Sequence, residues 1–485
     1  MELKDILYGV SIQATKGAMN VAVEQIVFDS RKAVKGAVFV ALKGTVVDGH
    51  DFIPDVLAKG CDIIVAGQEV EVPEGVHLVV VSDTAKALGI MASRFYNDPS
   101  EQLHLVGITG TNGKTTTVTL LHKLFTGLGY KVGLLSTVVN KIGEREIPAT
   151  HTTPDPVELN RMLAEMVTEG CEYCFMEVSS HAVVQERIAG LVFKGAAFTN
   201  ITHDHLDYHK TFKAYIEAKK TFFDQLPSSA FALVNADDKN GMVMLQNTKA
   251  KKYTYALRSV ADFKAKVIEN QFSGLQLNLD GVDVWSKLIG DFNAYNLLLV
   301  YGISRLLEQD KIEVLTILSR LDSVDGRFQY VRSNGGVVAI VDYAHTPDAL
   351  ENVLKTIENI RTNNETVFTV IGCGGDRDKA KRPLMAKIAC DYSNKVIITS
   401  DNPRTEDPAA IINEMMAGVE GHNFKKTLSI QDREQAIKTA CTMAEPGDII
   451  LIAGKGHEKY QEINGVRHDF DDMKIIQDLF IKLEK

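Results

Sequence analysis

The chain has 485 residues, 45% hydrophobic and 24% charged, the balance of an ordinary globular protein long enough for about three domains. A formal net charge of −10 argues against a broad nucleic-acid footprint, so anionic ligands must be met by local basic and backbone groups. No apolar run reaches the length of a membrane span, MELKDILYGVSI lacks the layout of a signal peptide, and six scattered cysteines suit a reduced, cytoplasmic setting.

From Met1 to about Pro99, strand-like runs (AVFVAL, DIIVAG, HLVVV) alternate with loops and helical patterns. Asp29-Ser30-Arg31, with Phe39 to Gly44 and Asp48-Gly49-His50 behind it, offers hydroxyl, guanidinium and glycine groups suited to a diphosphate or sugar. Turns of a small α/β unit account for the same residues equally well. Asn97-Asp98-Pro99-Ser100 reads as a boundary.

The stretch LHLVGITGTNGKTTT, Leu103 to Thr117, is the most informative in the chain. An apolar run of strand length breaks into Gly110-Thr111-Asn112-Gly113-Lys114-Thr115-Thr116, and a helical apolar pattern follows. Strand, glycine loop and helix start make a triphosphate site, because glycine lets backbone N–H groups approach phosphate oxygens at a positive helix end. Lys114 would neutralise the β- and γ-phosphates, and the Thr115 hydroxyl would ligate Mg²⁺. Ile108 stands where the general P-loop pattern has its first glycine. Further on, Cys171 and Cys174 lie in the apolar run CEYCFMEV, which favours buried strand cysteines over a redox pair.

Two apolar runs in the region 101–330 end in polar clusters, one at Glu177 to His181 and one at Thr202 to His209. In open α/β sheets ligands gather at such strand ends, where a carboxylate and an imidazole could serve a metal; a solvated polar loop reads equally well. In TFKAYIEAKKTFFDQL, helical spacing puts Lys219 in the middle of the apolar stripe and Lys220 off it. A lysine on a buried face is expensive unless paired, modified or neutral, although snorkelling is common. Asn293 and Asn296 open a further helix with amides suited to a base edge, and Asp325 to Phe328 holds Arg327 in a turn.

From about 331 onward, continuous apolar runs (VVAIV, VFTVI, KVIIT, DIILIA) each end in a polar loop, as strands of a parallel sheet buried on both faces would. The loops centre on Asp342, Arg377, Asp401-Asn402-Pro403-Arg404, and Gly454 to Glu458. Arg377, Arg404 and Glu458 give this rim both charge signs, which suits a zwitterionic amino acid.

GTNGKTTT, HTTP, EVSSH, DHLDYH, the EAKK lysine, GDFNAYN, DGRF, VDYAHTPDAL, GCGGDRDKAKRP, DNPR and GKGHE together resemble the Mur ligase family of peptidoglycan synthesis over essentially the whole chain. The resemblance implies three α/β domains: 1–99 binding UDP, 100–330 binding ATP, and a Rossmann-like unit at 331–485 delivering an amino acid. It implies that Asn293, Arg327 and Asp342 contact ATP beside the glycine loop. Glu177 and His205 would bind a second Mg²⁺, supported by a carbamylated Lys219. Ser30, Thr152, Thr153, Ser179, Gln185 and Arg187 would grip a UDP-N-acetylmuramoyl-dipeptide. Arg377, Asp401, Asn402, Pro403, Arg404, Gly454 and Glu458 would take the incoming amino acid. Some relatives carry asparagine at His151, which is left without a role.

The chemistry so implied is amide ligation by a monomer with small-molecule partners only. A D-glutamate γ-carboxylate attacks the γ-phosphate of ATP, and an amine then displaces phosphate from the acyl phosphate. Lys114, Arg327 and Mg²⁺ would screen the meeting of two anions. Meso-diaminopimelate differs from L-lysine by a second carboxylate, for which Arg404 offers a fork; lysine-adding relatives generally lack this arginine. The alternatives are the lysine-adding ligase, a folylpolyglutamate-synthase-like ligase, and a P-loop ATPase that binds a partner.

Overall fold

Residues 1–44, 47–149, 151–202 and 206–485 are described by the computed structural model. Short β-branched runs followed by capped helices produce three sheets, each with a parallel core. In the first, the strands Gln25–Val27, Ala37–Val40, Ile63–Ala66 and His77–Val81 run parallel, and Ile12–Lys16 closes the edge antiparallel. The helix Thr84–Phe95, capped by Asp83, joins this sheet to the next unit: Ser93 donates to the Gly190 carbonyl at 3.2 Å.

The central sheet has eleven strands among the described residues. Seven are parallel, and antiparallel pairs flank them at Gly274–Leu279 with Val282–Ser286 and at Val139–Ile142 with Arg145–Pro148. The strand His104–Thr109 lies in the middle, between Tyr173–Glu177 on one side and Gly195–Phe198 on the other. The chain leaves this strand toward one half of the sheet and later returns to the other half. That makes its carboxyl end a topological switch point, where ligand crevices form.

The third sheet orders Gln329–Arg332, Val338–Asp342, Ile449–Ala453, Val367–Ile371, Lys395–Ile398 and Thr427–Ser429, with only the first strand antiparallel. The four apolar runs read from the sequence are therefore parallel strands, and their polar loops leave the same end. Cys174 lies within the strand Tyr173–Glu177 and Cys171 just before it; all six cysteines are free and buried. No helix among the described residues is long and apolar enough to cross a membrane.

One close approach sets the geometry beneath the switch point. Gly107 sits on the strand His104–Thr109, and a Cβ there would lie 2.6 Å from the Phe222 ring and 2.9 Å from Phe193. The missing side chain lets the helix Phe212–Asp224 seat directly on the strand. Gly107→Ala should therefore overpack this contact, at about 1–3 kcal/mol. Calorimetry should find a lower unfolding midpoint; an unchanged midpoint would mean that Phe222 withdraws without loss.

Candidate active site

The glycine loop follows the strand His104–Thr109, and the helix Lys114–Gly127 begins at its end. Gly110 has φ +148° and no room for a Cβ, which would come within 1.8 Å of the Thr199 hydroxyl. Gly113 takes φ +86°, and its Cβ would meet the Asn296 amide oxygen at 2.6 Å. Only glycine fits both positions. Lys114 curls over the loop, donating to the carbonyls of Gly110 at 2.8 Å and Thr111 at 2.7 Å. Thr115 and Thr116 are buried behind it.

Arg327 reaches this loop from the turn that leads into the third sheet and donates to the Thr115 hydroxyl at 3.3 Å, its guanidinium over the Tyr343 ring. Its Nε is buried with no hydrogen-bond partner among the described residues. A loop of backbone donors, a lysine and an arginine with an unmet buried donor fits a polyphosphate. Asp342, at the end of the strand Val338–Asp342, accepts from the Phe328 amide at 2.7 Å and so holds the turn carrying Arg327. Burial pushes its carboxyl up to about 6, against the pull of Arg327. Asn293 is buried and bonds to Ile289 and Asn296, so Asn296 is the amide nearer the glycine loop.

Lys219 is 1% exposed, as its place in the apolar stripe anticipates. Its ammonium lies under the loop, 2.9 Å from the Gly110 carbonyl and 4.6 Å from the Tyr215 ring centre. Lys220 instead pairs with Asp224 at 2.5 Å. One strand over, Glu177 is level with Ile108, and its carboxylate accepts from the Thr137 amide at 2.8 Å and hydroxyl at 3.2 Å. His205 lies outside the described residues. No group of three or more His, Cys, Asp or Glu suited to a metal occurs among the described residues. Mg²⁺ commonly takes only one or two protein carboxylates beside phosphates and water, so the Thr115 hydroxyl at the loop and, separately, the Glu177 carboxylate one strand over each have the oxygen chemistry that such an ion takes.

Around Glu177 the structure gathers most of the residues expected to hold the dipeptide. Thr152 shares a hydroxyl contact of 3.1 Å with Thr137, and Thr153 donates to the Glu177 carbonyl at 2.8 Å. Ser179 caps the short helix Ser180–Val184. Arg187 donates to the Thr153 carbonyl at 2.7 Å and to the Gln185 side chain at 2.6 Å. Ser30 is not part of this cluster: it lies in the turn Ser30–Lys32 of the first unit, its carbonyl accepting from Lys59. Arg31 beside it pairs with Asp29 at 2.8 Å.

The third sheet brings its strand-end loops together. Gly374 and Gly375 pass so close to Asn402-Pro403-Arg404 that a Cβ on Gly375 would lie 1.9 Å from the Pro403 carbonyl. Gly454, at φ +114°, passes the Asp401 carboxylate, which a Cβ there would meet at 2.5 Å. Arg404 holds φ +52°, pinned by its N–H to Glu462 and by the Asn464 N–H to its own carbonyl. Its guanidinium donates to the Gly375 carbonyl at 2.8 Å. Glu406, two residues on, is instead paired with the buried Arg382 at 2.8 Å. Asn402 donates to Glu458 at 2.7 Å. Arg377 is exposed on an open depression of about 480 Å³ lined with Asp376, Asp378, Lys379 and Glu406.

Two contributors escaped the sequence reading. Asp348, at the start of the helix Pro347–Ile360, accepts from Asn112 at 3.0 Å and from Thr202 at 2.8 Å, tying the third unit to the phosphate loop. Lys455 is wholly buried beside Asn402 and Glu458. Asp348 lies within VDYAHTPDAL and Lys455 within GKGHE, but only the fold reveals their partners.

Three family models match in succession: the Mur ligase family catalytic domain at 22–96, the Mur ligase middle domain at 108–304, and the Mur ligase glutamate ligase domain at 326–456. The chain is 56% identical to a UDP-N-acetylmuramoyl-L-alanyl-D-glutamate–2,6-diaminopimelate ligase of Cytophaga hutchinsonii, over 100% of both chains. It is 54% identical to the protein of that name from Parabacteroides distasonis, over 99% of each. A solved structure of a ligase of the same name aligns with a TM-score of 0.72 at 34% identity, over 100% of this chain and 99% of the other. With its full-length relatives and its strand-end site in hand, this chain belongs to the Mur ligase family.

Proposed function

We propose that this chain is an ATP-dependent ligase that adds meso-2,6-diaminopimelate to UDP-N-acetylmuramoyl-L-alanyl-D-glutamate through an acyl phosphate. The observation that carries the reading is the joining of two rims: Arg327 and Asp348 connect the loops suited to an amino acid with the loop suited to a triphosphate. Ligation needs the acyl phosphate and the amine in one dry cleft, because water would otherwise hydrolyse the intermediate.

In this reading Gly110 to Thr116 cradle the phosphates, while Lys114 and Arg327 offset their charge. Asn293 and Asp342 border the nucleotide. Thr115 and Glu177, with His205 and Lys219 as its carbamate, would hold two Mg²⁺, which supply further charge neutralisation between carboxylate and phosphate. The seating of Lys219 supports that assignment, because the ammonium loses one proton to become the nucleophilic amine and a second as its nitrogen bonds to CO₂, so a costly buried cation becomes an anion that could sit beside metal. Thr152, Thr153, Ser179, Gln185 and Arg187 orient the dipeptide, and Ser30 holds the UDP end from the first unit. Arg377, the Asp401 to Arg404 loop, Gly454 and Glu458 receive the amino acid. The working units are 1–99, 100–330 and 331–485, in a cytoplasmic monomer that acts on small molecules alone.

Lys219→Ala should lose most ligase activity and regain part of it with added short carboxylates, measured as ADP release coupled to amide formation. No rescue, or an unmodified Lys219 by intact mass in the active enzyme, would remove the carbamate from the scheme.

The amino acid itself provides the main test. In a side-by-side assay the wild type should couple meso-diaminopimelate and use L-lysine poorly. Lysine would leave the Arg404 guanidinium with its Gly375 carbonyl but no carboxylate to bind, a difference of about 1–3 kcal/mol or roughly 5- to 150-fold. Arg404→Ala should raise the KM for diaminopimelate sharply. A wild type that prefers lysine would overturn both Arg404 as selector and the substrate.

A further inference from the structure

The amino-acid rim contains a buried ammonium group that the reaction scheme does not use. Lys455 follows the strand Ile449–Ala453 and is 0% exposed. Its Nζ donates to Asn402 Oδ1 at 2.9 Å and lies 3.6 Å from Glu458 Oε2 and 3.8 Å from Asp401 Oδ1. Asn402 Oδ1 also accepts from the Glu462 amide at 2.9 Å. Two donors on one face of the amide settle which way it lies, since only an oxygen can receive them. The Asn402 NH₂ therefore turns to Glu458, donating to Oε2 at 2.7 Å. Without a donor at 455, one of the two contacts that orient the amide is gone.

The charges around this point are few. Asp401 and Glu458 are the carboxylates, and Lys455 is the cation between them. Arg404 acts on Glu458 from the neighbouring loop, and Tyr343 and Tyr460 face it as neutral phenols. Arg433 lies farther back, paired through two contacts of 2.9 and 2.7 Å with Asp472. Burial pushes the Glu458 carboxyl above its ordinary range, Asp401 adds to that push, and Lys455 opposes it. With both carboxylates ionised, the Asp401, Lys455 and Glu458 group carries one net negative charge, which suits one incoming ammonium.

We propose that Lys455 is a positioning residue of the amino-acid site, orienting Asn402 and Glu458 and offsetting one of the two carboxylates so that the group receives a single substrate ammonium. The inference rests on the amino-acid reading of this rim. Removing the cation lets Glu458 take up a proton more readily, so a variant loses its hold on the ammonium at a higher pH than the wild type does. That hold returns as rising pH strips the proton. A residue that only filled space would produce a loss independent of pH.

The test measures the KM for meso-diaminopimelate with saturating ATP and UDP-dipeptide across a pH series from about 6 to about 9. Lys455→Met should raise that KM tenfold or more at the low end, with a smaller change in kcat, and the gap should narrow toward the high end. Lys455→Arg should stay closer to the wild-type profile. In a Glu458→Gln background, Lys455→Met should add much less than it does alone. If the Met variant does not fold, Lys455→Gln, which keeps a donor for Asn402 but no charge, carries the same expectation. A KM that is unchanged, or raised equally at every pH, overturns the proposal. A wild type that couples no diaminopimelate would instead sink the substrate reading, so the two failures are distinguishable.

Discussion

The seating of one helix under one glycine loop governs the rest of the molecule. Because Gly107 has no side chain, the helix Phe212–Asp224 approaches the central strand closely enough for Lys219 to reach the Gly110 carbonyl. That carbonyl also accepts from Lys114. Two ammonium groups from different elements thus converge on the backbone that must receive phosphates. Like charges at such range repel, and the low dielectric of a buried site makes the repulsion costly. In the reading proposed above, polyphosphate above the loop or a carbamate on Lys219 would relieve it.

The same economy of contacts joins the units. Hydrogen bonds from Arg327 to Thr115 and between Asp348 and Asn112 and Thr202 bridge the central and third sheets. Each involves a group on the phosphate loop or at a neighbouring strand end, so a change in what occupies the loop is felt directly by the third unit. Asp342 steadies Arg327 through the Phe328 amide, with its carboxyl held near the middle of the accessible pH range by burial. Ligases that must bring three substrates together benefit from such coupling, because closure can then follow nucleotide binding.

On the amino-acid rim, precision comes from backbone contact rather than from side-chain bulk. Gly375 and Gly454 pass within what would be collision distance of Pro403 and Asp401. Arg404 is held in a left-handed conformation that non-glycine residues rarely adopt, by hydrogen bonds through residues 462 and 464. A strained arginine pinned at both its N–H and its carbonyl presents its guanidinium in one direction. In the reading proposed above, that restriction would help it distinguish a second carboxylate from empty space.

The linear sequence by itself determined the element types and the chemistry-bearing loops. Apolar runs of strand length, the glycine loop before Lys114, and the helical spacing that buried Lys219 all depend on near neighbours, and local periodicity records near neighbours faithfully. It also marked the four strand ends of the third sheet, because parallel strands buried on both faces are continuously apolar. The tertiary structure alone decided which loops meet. Asp348 and Lys455 look like ordinary charged residues in their own segments, yet they bond to Asn112, 236 residues away, and to Asn402, 53 residues away. It also separated Ser30 from the Thr152 to Arg187 cluster and directed Glu406 to Arg382 rather than Arg404. Such pairings are set by strand order and crossover, and nothing in local spacing encodes them.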